Sequence, residues 1–336
     1  MKYDAILVTS FGGPEGPDDV MPFLENVLRG KNVPRERMLE VAEHYYHFGG
    51  KSPINDQNRQ LIAALQAELL QHGPHLPIYW GNRNWHPMLS DTLKQMKADG
   101  VQRALAFVTS AYSSYSSCRQ YREDIARAQS EAGDGAPVVD KIRAFHNHPG
   151  FVEAVVDRVQ NALAKFPSER QEAVHLIYTA HSIPMGMAQG CDYEKQLKET
   201  GRLVAERLGH KNWELVYQSR SGPASQPWLE PDILDSLREI KTRGEGSDVV
   251  IAPIGFVSDH MEILFDLDTQ ARELCEQLGL QMARAETVGT HPRFIRMVRE
   301  LISERLDDNE PRLVLGALGV RPDFCAADCC PMPRRA

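Results

Sequence analysis

One pattern occurs twice. "FHNHPGFVEAVVDRV" (145–159) and "VGTHPRFIRMVREL" (288–301) each run His-Pro, one residue, Phe, then an amphipathic helix. Other pairs fall in the same order: "YWGNRNW" with "VYQSRSG", and "FVTSAYSSY" with "APIGFVSDH". A chain whose halves repeat builds two similar units that bury surface against each other. Each half carries four short apolar runs: 3–13, 76–85, 104–114 and 137–145, then 173–184, 213–222, 247–259 and 281–289. Stretches of helical spacing separate them; Leu61, Leu65 and Leu69 mark one helix, with Ser52 as its cap and Pro53 in its first turn. Continuous apolar strands between helices predict parallel sheets covered on both faces. The predicted fold class is α/β: two similar doubly wound (Rossmann-like) parallel-sheet domains with a cleft between them. The predicted boundaries are 1–165, 166–310 and a Cys-containing tail at 311–336. Residues 14–50 have no counterpart in the second half. Their Tyr45, Tyr46 and Phe48 before Gly49-Gly50 suit either a lid over a flat ligand or a hairpin packing its own aromatics.

The 336 residues suffice for two domains of ordinary size. A formal charge of −8 argues against a general nucleic-acid binder, which would present a basic face. No run of eighteen apolar residues predicts a transmembrane helix. Asp4 interrupts "MKYDAILVTSFGG", and its apolar run is too short for an export signal. Six Cys in such a chain point away from disulfides, and the expected location is cytoplasmic.

Ligands of open α/β sheets bind beyond the carboxyl ends of the strands. Ser10 to Gly13, Ser110 to Ser117 and Tyr121 lie there in the first half; His181, Ser182, Asp259, His260 and Glu262 in the second. "FVSDHMEILFDLDTQARELC" reads as a helix from Asp259, its cap. Glu262, Asp266 and Gln270 share one face; Ile263, Leu267, Ala271 and Leu274 share another that packs on the sheet. Like charges at Glu262 and Asp266 call for a cation or a shared proton, although a solvated acidic face would look the same. His181, ending the strand of "TAHSIP", adds an imidazole that can take a proton or hold a metal. One imidazole and one carboxylate bind a divalent first-row metal loosely, leaving positions open. In the tail, "CAADCC" offers three thiols. Zinc and iron–sulfur sites usually take four ligands, so a fourth must come from elsewhere, unless these are free thiols.

Together, "LVTSFGGP", "HYYHFGGKSPINDQ", "TSAYSSYSSCRQYRED", "TAHSIP" and "APIGFVSDHMEILFDLD" resemble the ferrochelatase family over nearly the whole chain. The chain looks most like the soluble coproporphyrin III ferrochelatases of high-GC Gram-positive bacteria. The resemblance implies a chelatase-like fold and insertion of Fe²⁺ into coproporphyrin III in heme biosynthesis. It assigns His181 and Glu262 as the catalytic pair and metal site, with Asp266 as a relay. It assigns porphyrin contacts to Phe11, Arg29, His44, Tyr45, Ser52 and Tyr121, and makes 14–50 a lip over the macrocycle. It implies a [2Fe–2S] cluster on Cys325, Cys329, Cys330 and one internal Cys, here Cys118 ahead of Cys191 and Cys275. A transient contact with a downstream heme-pathway enzyme would follow.

Two positions depart from the family pattern. Related forms carry a Tyr where Phe11 stands, and Phe11 has no oxygen with which to coordinate product iron. Some relatives carry an acid where Gln270 stands. Chelation needs two pyrrole protons removed while the metal loses water and enters, and a bent ring exposes its lone pairs. Which of His181 and Glu262 takes protons and which holds metal does not follow from sequence. Protoporphyrin IX as substrate, a chelatase for another metal or tetrapyrrole, and a non-catalytic heme or iron–sulfur sensor are the rival readings.

Overall fold

A computed structural model describes residues 3–30, 33–222, 225–244 and 246–332; the last four residues of the predicted tail lie outside it. Eight strands form two parallel four-stranded sheets. The first contains β1 (Ala5–Ser10), β2 (Ile78–Asn82), β3 (Arg103–Val108) and β4 (Val138–Lys141), in the order β2-β1-β3-β4. The second contains β5 (His175–His181), β6 (Trp213–Gln218), β7 (Asp248–Ala252) and β8 (Gln281–Arg284), in the order β6-β5-β7-β8. Counted from the first strand of each half, the two orders are the same, so the repeat in the sequence is a repeat in topology. Every strand lies within its predicted run, except that β3 starts one residue earlier. The central strands β1 and β7 are buried along their whole length, as sheets covered on both faces require.

The two His-Pro motifs start equivalent helices, Pro149–Leu163 and Pro292–Leu306. Each His is an N-cap: His148 Nδ1 accepts from the Gly150 N–H at 3.1 Å, and His291 Nδ1 from the Arg293 N–H at 3.3 Å. The helices pack on each other, and Gly150 permits the approach. A Cβ there would stand 2.7 Å from Met297 Cβ. Phe151 and Phe294 meet beside this crossing, 6.2 Å between ring centroids. The first helix also touches β7 and β8, while the second touches helix Ile54–His72 of the other half. One hydrophobic core therefore runs from Ile6 and Val8 of the first sheet to Tyr178 and Val250 of the second.

The insertion forms two helices, Pro17–Leu28 and Arg35–His47, around a small core of Val20, Phe23, Leu24, Met38 and Ala42. Gly50 closes its base with φ +75°, and a Cβ there would lie 2.5 Å from Pro17 Cα.

Two helix starts differ from the sequence reading. Ser52 makes no cap: its Oγ lies 3.5 Å from the Ile54 N–H, while its own N–H is drawn to Pro14 O at 2.9 Å. Asp259 makes no cap either. Arg284 holds its carboxylate at 3.2 and 3.3 Å and also binds Asp268 at 2.7 Å. Charge-assisted pairing outweighs a single capping bond. His260 Nδ1 instead accepts the Glu262 N–H at 3.2 Å. The helix that follows is wider than predicted: residues Ile263–Ala271 are π-helical. Ile263, Leu267 and Ala271 still face the sheet, fully buried.

Because Phe294 is buried where the two halves join, Phe294→Ala should lower the unfolding free energy by about 3–5 kcal/mol. Both halves should then unfold in one transition in a denaturant titration. Two separated transitions would show that the shared core does not couple them.

Candidate active site

His181 ends β5, and Glu262 follows the loop that leaves the neighbouring strand β7. Gly255 lets that loop pass against β5; a Cβ there would stand 2.6 Å from Ala180 Cα, beside His181. The result brings His181 Nε2 to 3.5 Å from Glu262 Oε1. On the other side of the ring, Nδ1 contacts the Ser182 carbonyl, and the Tyr193 hydroxyl donates to the His181 carbonyl at 3.1 Å. With Nδ1 carrying the proton toward Ser182 O, Nε2 is the nitrogen turned to the carboxylate.

Burial disfavours charge on both groups, yet each charge favours the other. His181 is raised to about 9 by Glu262 against desolvation, and Glu262 is lowered to about 2 by His181 against desolvation. At neutral pH the pair is imidazolium and carboxylate. The side chains stay 31% and 43% exposed, so water in the cleft screens their attraction; where the proton sits matters more than how strongly it is held.

Asp266 lies on the same face of the π-helix. Burial, then the charge of Glu262, pushes its carboxyl up to about 7 against hydrogen bonds from Ser219 and Gln218. The Ser219 hydroxyl donates to Asp266 Oδ2, and Gln218 Nε2 does so at 3.2 Å. Ser219 also hydrogen-bonds to the Glu262 carboxylate, so one hydroxyl touches both acids. Its φ of +62°, unusual for a residue other than glycine, turns it there. Sequence reading missed Ser219 and Gln218; their place at the end of β6 was the available signal.

The lip reaches this site. His44 stacks on Phe265 of the π-helix at 3.6 Å, with 13° between the rings, and burial lowers its imidazole. Tyr45 packs edge-on to Phe23 at 5.7 Å; its hydroxyl is raised by burial and then by the charge of Glu262. Both sequence readings of the insertion therefore describe it: it packs its own aromatics, and it covers the cleft. Phe11 is 37% exposed, while Tyr121 is buried. Arg83, which sequence reading missed, lies 5.7 Å from the Phe11 ring and 4.5 Å from the Tyr121 ring. Its buried pair with Asp124, at 2.5 Å, fixes it there. Ser52 is buried against Gly13, and Arg29 binds Asn26 at the exposed end of helix Pro17–Leu28. Arg29 is thus not brought to the His181–Glu262 pair by any recorded contact.

A sequence model of ferrochelatases matches residues 3–306. The chain belongs to the ferrochelatase family. It is 61% identical to a ferrochelatase of Rhodopirellula baltica, over 98% of this chain and 93% of that one. It is 51% identical to a coproporphyrin III ferrochelatase of Streptomyces coelicolor, with the same coverage. Among solved structures, the cobalt complex of the sirohydrochlorin chelatase SirB from Bacillus subtilis subspecies spizizenii matches with a TM-score of 0.55. At 11% identity over 93% of this chain and 99% of that one, this likeness concerns the fold. The chain is thus a porphyrin metal chelatase with the expected chelatase fold.

In this ferrochelatase, all six cysteines are free thiols. Cys118 lies in a π-helical turn, Tyr115–Arg119, that precedes the helix bearing Tyr121. Its thiol hydrogen-bonds with Cys325, which in turn interacts with Cys329; Cys330 interacts with Cys329 and lies within electrostatic range of Cys118 and Cys191. Cys325 is lowered to about 7, chiefly by the Cys118 contact, and burial pushes Cys330 up to about 12. Cys275 is buried elsewhere, under the second sheet. Among the described residues, no three His, Cys, Asp or Glu side chains converge on one metal position. No helix there is long and apolar enough to cross a membrane.

The Asp266 carboxyl titrates near 7 in the fold and near 3.8 when free, so between these values the native form holds a proton that the unfolded form has lost. Its contribution to stability is present below about pH 4 and lost as pH rises through about 7. Thermal melts should therefore show wild type losing more stability than Asp266→Asn over that window. Parallel curves would contradict the raised carboxyl.

Proposed function

We propose that this chain inserts Fe²⁺ into coproporphyrin III, releasing two protons and giving the iron porphyrin. The 3.5 Å approach of His181 Nε2 to Glu262 Oε1 beneath an aromatic lip carries this reading. The name of the Streptomyces coelicolor relative favours coproporphyrin III over protoporphyrin IX. Six free thiols suit a reducing, cytoplasmic setting.

His181 holds the incoming iron in this scheme. A metal-binding imidazole commonly gives its other N–H to a carbonyl, and the Nδ1 contact with Ser182 O supplies that arrangement. Fe²⁺ can use the Nε2 lone pair only after the imidazolium proton has left. Glu262 is the nearest acceptor, and it also takes pyrrole protons from the ring. Asp266, near half-ionised at neutrality and linked to Glu262 through the Ser219 hydroxyl, passes them outward. Phe11 and the lip hold the macrocycle bent so that its nitrogens are reachable. Arg29, Ser52 and Tyr121 remain its proposed polar contacts; the burial of Ser52 and Tyr121 means that the ring must reach them past the lip and Arg83.

A second part of the proposal concerns the tail. The four thiols fit a [2Fe–2S] cluster, which takes two cysteines per iron and so needs neighbouring pairs, not three ligands about one ion. Cys118 with Cys325, and Cys329 with Cys330, are such pairs. When bound, such a group supplies one-electron chemistry and ties the tail to the first half.

Loss of the His181 imidazole in His181→Ala should lower kcat by about 10²–10⁴-fold while porphyrin affinity stays within about tenfold. Near-normal turnover would sink the assignment. Protein purified without oxygen should be brown and Cys325→Ser colourless; a colourless wild type would refute the cluster.

A further inference from the structure

The tail thiols are ringed by cations from the first half. Arg122 Nη1 donates to Cys329 Sγ at 3.2 Å and to Ala326 O at 3.4 Å. Arg119 Nη1 donates to Cys329 O at 3.0 Å. Lys141 interacts with the Cys118 thiol and donates to Ile142 O at 2.8 Å. The Cys329 N–H closes a turn onto Ala326 O at 3.1 Å, and Cys330 follows with φ +48°. A left-handed cysteine is uncommon, and such backbone persists where surrounding contacts hold it. Here those contacts are the two arginines of the segment that begins at Cys118. The tail is therefore gripped through its backbone, and one of its sulfurs is also gripped directly.

Most of these contacts need no metal to explain them: arginine on a backbone carbonyl is ordinary docking. The bond to Cys329 Sγ is different. Arg122 spends a charged donor on a sulfur when two carbonyls lie in reach. A sulfur is a weak acceptor as a thiol and a far better one as a thiolate, in particular one bound to iron.

We propose that Arg122 sets the reduction potential of the group held by Cys118, Cys325, Cys329 and Cys330, through its hydrogen bond to Cys329 Sγ. The inference rests on the cluster reading above. Uptake of one electron adds one negative charge to the cluster and its thiolates, with no bond broken and no proton required. A charged donor on a ligand sulfur stabilises that added charge, so the reduced form gains more than the oxidised form. Arg122 thereby makes the cluster easier to reduce. Lys141 acts on the Cys118 side in the same sense, without a recorded bond to a tail sulfur.

The test is an anaerobic redox titration with dithionite as electron donor, followed by the visible spectrum and by electron paramagnetic resonance. Wild type, Arg122→Met, Arg122→Lys and the distant surface variant Arg238→Met are compared. Arg122→Met should shift the reduction equilibrium about tenfold toward the oxidised form, a midpoint about 59 mV more negative for one electron. Arg122→Lys, which keeps a charged donor, should recover part of the shift, and Arg238→Met should match wild type. If Arg122→Met takes up no iron and sulfide, Arg122→Gln carries the comparison. A wild-type midpoint in the neutral variant that assembles, or failure of both to assemble, overturns the inference. Iron and acid-labile sulfide content separate this from the other failure: wild type without a cluster defeats the cluster reading itself.

Discussion

An imidazole and a carboxylate at the ends of adjacent parallel strands are the constraint on which the site depends. Parallel strands deliver their carboxyl ends to one edge of the sheet, so β5 and β7 bring His181 and the Glu262 loop to the same place. Gly255 removes the side chain that would hold them apart. The π-helix then continues from Glu262 to Asp266 on the same face, and the left-handed Ser219 joins the two acids. The gradient is chemically useful. Glu262 is ionised, Asp266 is near half-ionised at neutral pH, and His181 carries a proton that an arriving cation must displace.

The pair works only if the first half stands correctly over it, and several contacts across the cleft fix that placement. The Asp259 N–H donates to Gln57 Oε1 at 2.7 Å, the Tyr112 hydroxyl to Ile254 O at 2.9 Å, and the Ser113 N–H to Gln196 Oε1 at 2.8 Å. His44 on Phe265 adds a contact from the lip. Behind them, the duplicated helices cross between the halves at Phe151 and Phe294. The repeat that first organised the sequence is thus also what locks the two sheets together.

Much of this was legible because it follows from short-range patterning. Apolar runs marked all eight strands, and the His-Pro motifs marked equivalent helix starts. His181 and Glu262 were found by placing polar residues at strand ends. What escaped depends on contacts distant in sequence. Asp259 was read as a cap because nothing near it announces Arg284, twenty-five positions on. The π-helix was read as α because residues four apart share a face in both, and buried Ile263, Leu267 and Ala271 satisfy either. Ser219 carries no pattern: its role comes from one backbone angle. Arg83 sits in a run read as strand, and its importance comes from two rings and a carboxylate on other segments.

The central claim is that the proton on the His181–Glu262 pair leaves when iron arrives. Anaerobic calorimetric titration of Fe²⁺ at neutral pH, in buffers of different ionisation enthalpy, measures this directly. Wild type should release roughly one proton per Fe²⁺ bound, since a metal ligand must shed its proton. His181→Ala should release none at this site. Binding of Fe²⁺ by wild type with no proton released would contradict the account.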